Sequence, residues 1–137
     1  MKFSRKLVSL MLAAMMVMAM SLTAFAATNV KMYGYMNGKY VESSHTAVFI
    51  EDAHPNADGT YTINFQPATV YGSEGYLSSM TVNGETFGAD DDGYMEVKFT
   101  YQPTVEVADG VYGQYIEYTV NVSGTTHPTN TGALVIQ

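Results

Sequence analysis

The chain has no cysteine and no tryptophan, and beyond residue 26 its only basic side chains are Lys31, Lys39 and Lys98. Without thiols there are no disulfides, thiolate metal centres or cysteine nucleophiles, so stability has to come from burial. The shortage of cations argues against nucleic acid as a partner, because neutralising phosphates takes a basic patch. It argues against an anionic membrane surface for the same reason. Long apolar runs are also missing beyond residue 26, so no transmembrane segment is expected there. No Gly-x-Ser-x-Gly, His-Glu-x-x-His or phosphate-loop pattern occurs. Ser43-Ser44-His45 sets a hydroxyl beside an imidazole, but neighbours on a strand point opposite ways and make no nucleophile–base pair. The expectation is a domain that is not an enzyme.

The first 26 residues are unlike the rest. Lys2, Arg5 and Lys6 precede an apolar run from Leu10 to Met20, and Ala24-Phe25-Ala26 follows. A basic start, an apolar middle and small residues at the third and first positions before a cut predict a signal peptide over residues 1–26, cleaved after Ala26. That places Ala27–Gln137 outside the cytoplasm, secreted or at the cell surface, as one domain large enough for a single core. Its three lysines face 13 acids, leaving ten negative charges in excess.

What the chain has in quantity is tyrosine, 11 in all, a residue that packs its ring while its hydroxyl stays wet. The tyrosines fall in short alternating runs. Tyr61, Ile63 and Phe65 share one face of a strand; Met95, Val97, Phe99 and Tyr101 share another, against Glu96, Lys98 and Thr100; Tyr112, Ile116, Tyr118, Val120 and Val122 share a third. Period two with one polar side means antiparallel sheet. Shorter strands are expected over Val30–Tyr35, Thr46–Ile50, Tyr76–Val82, Val105–Val107 and Ala133–Ile136. Turn pairs such as Asn37-Gly38, Asn83-Gly84 and Asp109-Gly110 separate the runs, and Asn83-Gly84 is a hairpin signal. No sustained helical period appears. The reading is all-β: an immunoglobulin-like antiparallel β-sandwich of about eight short strands.

Three stretches bear on chemistry. Asp90-Asp91-Asp92-Gly93 is dense in oxygens of the kind calcium takes, but it fits no EF-hand register, and a like-charged block is usually a solvated turn. Glu51–Gly59 offers His54 with Asp52 or Asp58 as metal ligands, or ordinary loop chemistry between strands. The third is Val111–Val122, where Tyr112 and Tyr118 face one way and Tyr115 the other. A tyrosine phenolate is a ligand for ferric haem iron, and a second ring can stack on a porphyrin; the same rings can simply pack a sandwich.

With those residues in view, the chain resembles the NEAT (near-iron-transporter) domains of Gram-positive surface proteins. The resemblance rests on Met36–Val48, which is similar to the family's Ser/Met-rich segment; on Asp58–Pro67 with Gly75–Gly84; and on Tyr115–Val122, which is similar to the family's last strand. It implies an immunoglobulin-like fold that cups haem between the last hairpin and a short helical lip, for iron uptake at the cell surface. In the family two tyrosines four apart on the last strand serve as iron ligand and supporting partner; here Gln114 stands four before Tyr118 and Tyr115 three before it. The haem contacts implied are Tyr115 and Tyr118 on the last strand and Met36, Tyr40, Ser43 and Ser44 at the lip, with Tyr115, Tyr118 or Met36 as iron ligand. The alternative expectation is a surface interaction or adhesion module whose tyrosine-rich face contacts another surface protein or a cell-wall glycan.

Overall fold

The computed structural model describes residues 29–137, so the segment read as a signal peptide lies outside the described residues. Those residues form twelve strands and one helical turn. The strands are β1 (Val30–Met36), β2 (Lys39–Glu42), β3 (Ile50–Pro55), β4 (Tyr61–Phe65), β5 (Ala68–Val70), β6 (Ser73–Val82), β7 (Glu85–Gly88), β8 (Met95–Phe99), β9 (Pro103–Ala108), β10 (Val111–Val122), β11 (Thr125–Thr126) and β12 (Asn130–Ile136); α1 is Ser44–Ala47. A large sheet runs β2-β1-β12-β10-β6-β5, with β9 and β11 paired to β10 and β7 to β6, and a small sheet runs β3-β4-β8. All pairings are antiparallel. The fold is all-β and sandwich-like, with more strands than the eight expected, because several are two to four residues long. No helix among the described residues is long and apolar enough to cross a membrane.

The two sheets face each other over one core. Ile63, Phe65, Met95, Val97 and Phe99 of the small sheet meet Met32, Leu77, Met80, Ile116, Tyr118 and Leu134 of the large one. The alternation read from sequence holds in β4 and β8, and in β10 from Gln114 to Val120. Tyr112 lies beyond the core's edge and is half exposed. In β6 the inward set jumps from Leu77 to Met80, because a bulge opposite Thr119/Val120 of β10 inserts an extra residue. A second, smaller core lies on the outer face of the large sheet, where Val107, Ala133 and Val135 pack with Tyr33, Tyr40, Val105 and Val111.

Two stretches differ from the sequence reading. Of the expected strand Thr46–Ile50 only Ile50 is strand, as the first residue of β3: Ser43 caps a single helical turn through its side chain, which accepts from the Thr46 amide at 3.4 Å, and Ser is a favoured capping residue. Conversely Glu51–Pro55, read as loop, is most of β3. It is an edge strand, where acidic side chains and a terminal proline are tolerated.

The β3–β4 connection carries an acid-sensitive contact. Asp58 accepts from the Thr60 hydroxyl (2.6 Å) and amide (3.0 Å) and pairs with Lys98 Nζ at 3.2 Å. The Thr60 bonds first, and Lys98 after them, hold its carboxyl down to about 2. A depressed folded value makes this contact stabilising above the ordinary carboxylate range, and the contribution is lost as pH falls through about 2. The Asp58 carboxyl carbon should therefore titrate by NMR near pH 2; a midpoint in the ordinary range near pH 4 would show that the Thr60 bonds do not form in solution.

Candidate functional site

The β1–β2 hairpin, α1, Tyr118 in the middle of β10 and the start of β12 line a cleft of about 310 Å³. Its floor is Tyr118. Gly34 of β1 and Gly132 of β12 are directly paired, and the Tyr118 ring lies across both: a Cβ on Gly34 would sit 3.7 Å from the phenol oxygen, and one on Gly132 3.0 Å from Cε1. Two adjacent glycines thus make the slot that admits the ring. Tyr118 is 5% exposed, and among the described residues its hydroxyl has no hydrogen-bond partner. Burial pushes the phenol above its ordinary value, so it stays protonated unless a cation comes to it. Unpartnered buried hydroxyls are rare and costly, and this one lines a cleft.

The walls are Met36, 57% exposed at the hairpin end, Val41, and Ser43 and His45 from the lip. The Ser43 hydroxyl is already engaged as the helix cap. His45 Nε2 shares a 2.6 Å hydrogen bond with the hydroxyl of Tyr71, and the rings lie 4.7 Å apart. Tyr71 stands at the tip of the β5–β6 hairpin, 84% exposed and at φ +52°. A bulky residue rarely takes a positive φ; here the two-residue β5–β6 turn, with Gly72 also at positive φ, imposes it. The His45–Tyr71 pair joins the lip to a second hairpin beside the cleft mouth.

Of the residues expected at the site, the structure brings together Met36, Ser43 and Tyr118. Tyr115 and Tyr40 lie on the opposite, outer face of the sheet. Tyr115 donates to Glu117 Oε2 at 2.8 Å; that bond is the first cause raising its phenol above the ordinary value, with burial also contributing. Tyr40 is raised by burial, then by neighbouring Tyr115 and Tyr35. Ser44 opens α1, is exposed and does not line this cleft. Sequence reasoning missed His45 and Tyr71. His45 lay within the lip segment, but nothing local marks its bond to a residue 26 positions away.

Gln114, four before Tyr118, has a structural part instead. It is buried; its Oε1 accepts from the Gln102 amide at 2.7 Å, and its Nε2 donates to Asn83 Oδ1 at 3.0 Å and to the Tyr115 carbonyl at 3.2 Å. Gln114→Ala leaves these groups unpaired, and urea unfolding should show a loss of about 2 kcal/mol. A loss under roughly 0.5 kcal/mol, the range of an ordinary surface change, would mean the network is not formed.

The acidic stretches are tied up locally. Asp90 Oδ1 accepts from the amides of Asp92 (2.9 Å) and Tyr94 (3.0 Å), closing the Asp90–Tyr94 turn. His54 Nδ1 lies 3.5 Å from Asp52 Oδ2, while Asp58 is held by Thr60 and Lys98. Among the described residues no three His, Cys, Asp or Glu side chains cluster as a metal site.

The floor offers a buried, uncommitted phenol oxygen and the wall an exposed thioether, two donor types that haem iron accepts. Tyr118 and Met36 line one cleft, whereas Tyr115 stands on the far face of the sheet. No protein-family model, curated protein or solved structure matches the chain.

Proposed function

We propose that residues 27–137 form a secreted or cell-surface, non-catalytic binding domain of a Gram-positive type of bacterium, and that the cleft beneath α1 takes haem or a similarly flat hydrophobic ligand for iron uptake. One observation carries the reading: the Tyr118 hydroxyl is buried without a protein partner at the floor of a cleft, where a ligand entering the cleft can reach it. Met36 and Val41 supply apolar wall, and the His45–Tyr71 pair borders the mouth. Cleft volume is at the low end for small-molecule sites, which span roughly 300–1,000 Å³, so a porphyrin would project from the mouth. Titration of the purified protein with ferric haem tests this: a saturable, shifted Soret band supports it, and a spectrum matching free haem under both oxidising and reducing conditions rejects it.

The second reading, a surface interaction or adhesion module, is favoured by a different observation. Tyr35 and Tyr115 are 49% and 41% exposed; Tyr115 lies on the outer face of the large sheet, across it from Tyr118, and Tyr35 borders both sides.

A further inference from the structure

The outer side of the β1–β2 hairpin borders a shallow, wide-open depression of about 550 Å³, bordered on its other side by the β9–β10 hairpin. Tyr35, Lys39 and Tyr40 line the first side, and Glu106, Val107 and Asp109 the second. Tyr35 and Tyr40 are direct cross-strand partners. Their rings meet at 4.9 Å with planes 65° apart, making a two-walled aromatic corner. Behind that corner, Tyr40 and Val107 are anchored in the second core with Tyr33, Ala133 and Val135. The corner is therefore built on packed strands rather than on a loose loop, as a specific site requires.

The polar lining selects the ligand class. Glu106 and Asp109 are acceptors only, and Lys39 is a donor only. Neither acid pairs with Lys39: among the described residues the ion pairs are His54–Asp52 and Lys98–Asp58. A cationic ligand would meet the Lys39 ammonium, and an anionic one would meet two carboxylates. A polyhydroxylated ligand meets neither difficulty, because every hydroxyl both donates and accepts. The C–H face of a sugar ring also lies against tyrosine while its hydroxyls stay with water and the polar rim. We infer that the outer depression binds a neutral oligosaccharide, with Tyr35 and Tyr40 as the stacking surface and Glu106, Asp109 and Lys39 as the hydroxyl-binding groups.

This inference rests on the second reading above and gives it a ligand class. It is independent of haem: Tyr35 alone lines both the depression and the cleft. Calorimetric titration with N-acetylglucosamine tetrasaccharide and with cellotetraose supplies the soluble arm; cosedimentation with purified peptidoglycan supplies the cell-wall arm. Saturable binding of either tetrasaccharide is expected, and it should weaken by roughly tenfold or more in Tyr40→Ala and in Glu106→Gln. Glu106→Gln keeps the side chain's shape and an oxygen for the Gly110 amide that Glu106 now holds at 3.2 Å, so it reads binding even if Tyr40→Ala proves unstable. Cosedimentation in addition to tetrasaccharide binding identifies wall glycan as the source; tetrasaccharide binding without it identifies free glycan. No heat with either sugar overturns the inference, and so does binding that Glu106→Gln leaves unchanged. A failed haem titration alters neither result, because the sugar arms contain no haem.

Discussion

Replacing Gly132 with alanine should destabilise the protein by about 3 kcal/mol, at the upper end for overpacking a filled core. The added methyl would collide with the Tyr33 carbonyl oxygen on β1 and press to 3.0 Å from Tyr118 Cε1. The first obstacle is backbone in a paired strand and cannot swing aside; the second is a ring already 5% exposed. Relief requires β1 to move off β12, which disturbs the register that pairs Gly34 with Gly132 and Tyr33 with Ala133. Urea unfolding reads the effect as a lower midpoint at unchanged slope. Gly88→Ala is the matched control, since a Cβ there meets nothing within 4 Å, and it should stay within about 0.5 kcal/mol of wild type. Equal midpoints for the two variants would show that β12 does not approach β1 as closely as described.

Tyr118→Phe is expected to move stability and ligand binding in opposite directions. Removing a buried hydroxyl that has no partner should raise the unfolding free energy by about 1 kcal/mol, because the desolvation penalty goes and no bond is lost. The ring remains, so packing against Ile116, Met80 and the two glycines is unchanged. Haem affinity should fall by more than the roughly 10–100-fold that follows loss of an outer-shell partner. Stability gained at the expense of binding marks a side chain kept for its site rather than for the fold.

Much of the fold was legible because period two survives in this chain. Met95, Val97 and Phe99 are buried between exposed Glu96 and Lys98 as their alternation requires. Asn37-Gly38 and Asn83-Gly84 turn with both φ values positive, as two-residue hairpins demand. Tyr71-Gly72 and Ser123-Gly124 do the same but were not legible, since neither tyrosine nor serine favours that conformation and surrounding pairing imposes it. The turn of α1 escaped because four residues are too few to show a helical period, and the β-branched Thr46 and Val48 read as strand. β3 escaped because a charged edge strand has no inward-outward contrast to read.

The site was less legible than the fold. Alternation alone set Tyr115 and Tyr118 on opposite faces, and the structure keeps them there. The resemblance grouped Met36, Ser43 and Tyr118, and these three line one cleft. It also assigned Tyr40, Tyr115 and Ser44 to the same pocket, where the sheet stands between them or the helix turns them to solvent. The glycine slot was half hidden: Gly34 falls inside an expected strand, where a glycine often marks a close approach, but Thr131-Gly132 reads as a turn pair, and the structure places both residues inside β12. Which approach it marks depends on a pairing between residues almost a chain length apart.

The most direct test is a paired absorbance titration with ferric haem of the wild-type protein and Tyr118→Phe, each checked for fold by urea unfolding. Haem ligation by Tyr118 predicts a saturable shifted Soret band in the wild type and none in Tyr118→Phe, whose unfolding midpoint is equal or higher. An identical Soret band in both proteins would contradict it, placing haem away from Tyr118 and leaving the buried hydroxyl without a functional explanation.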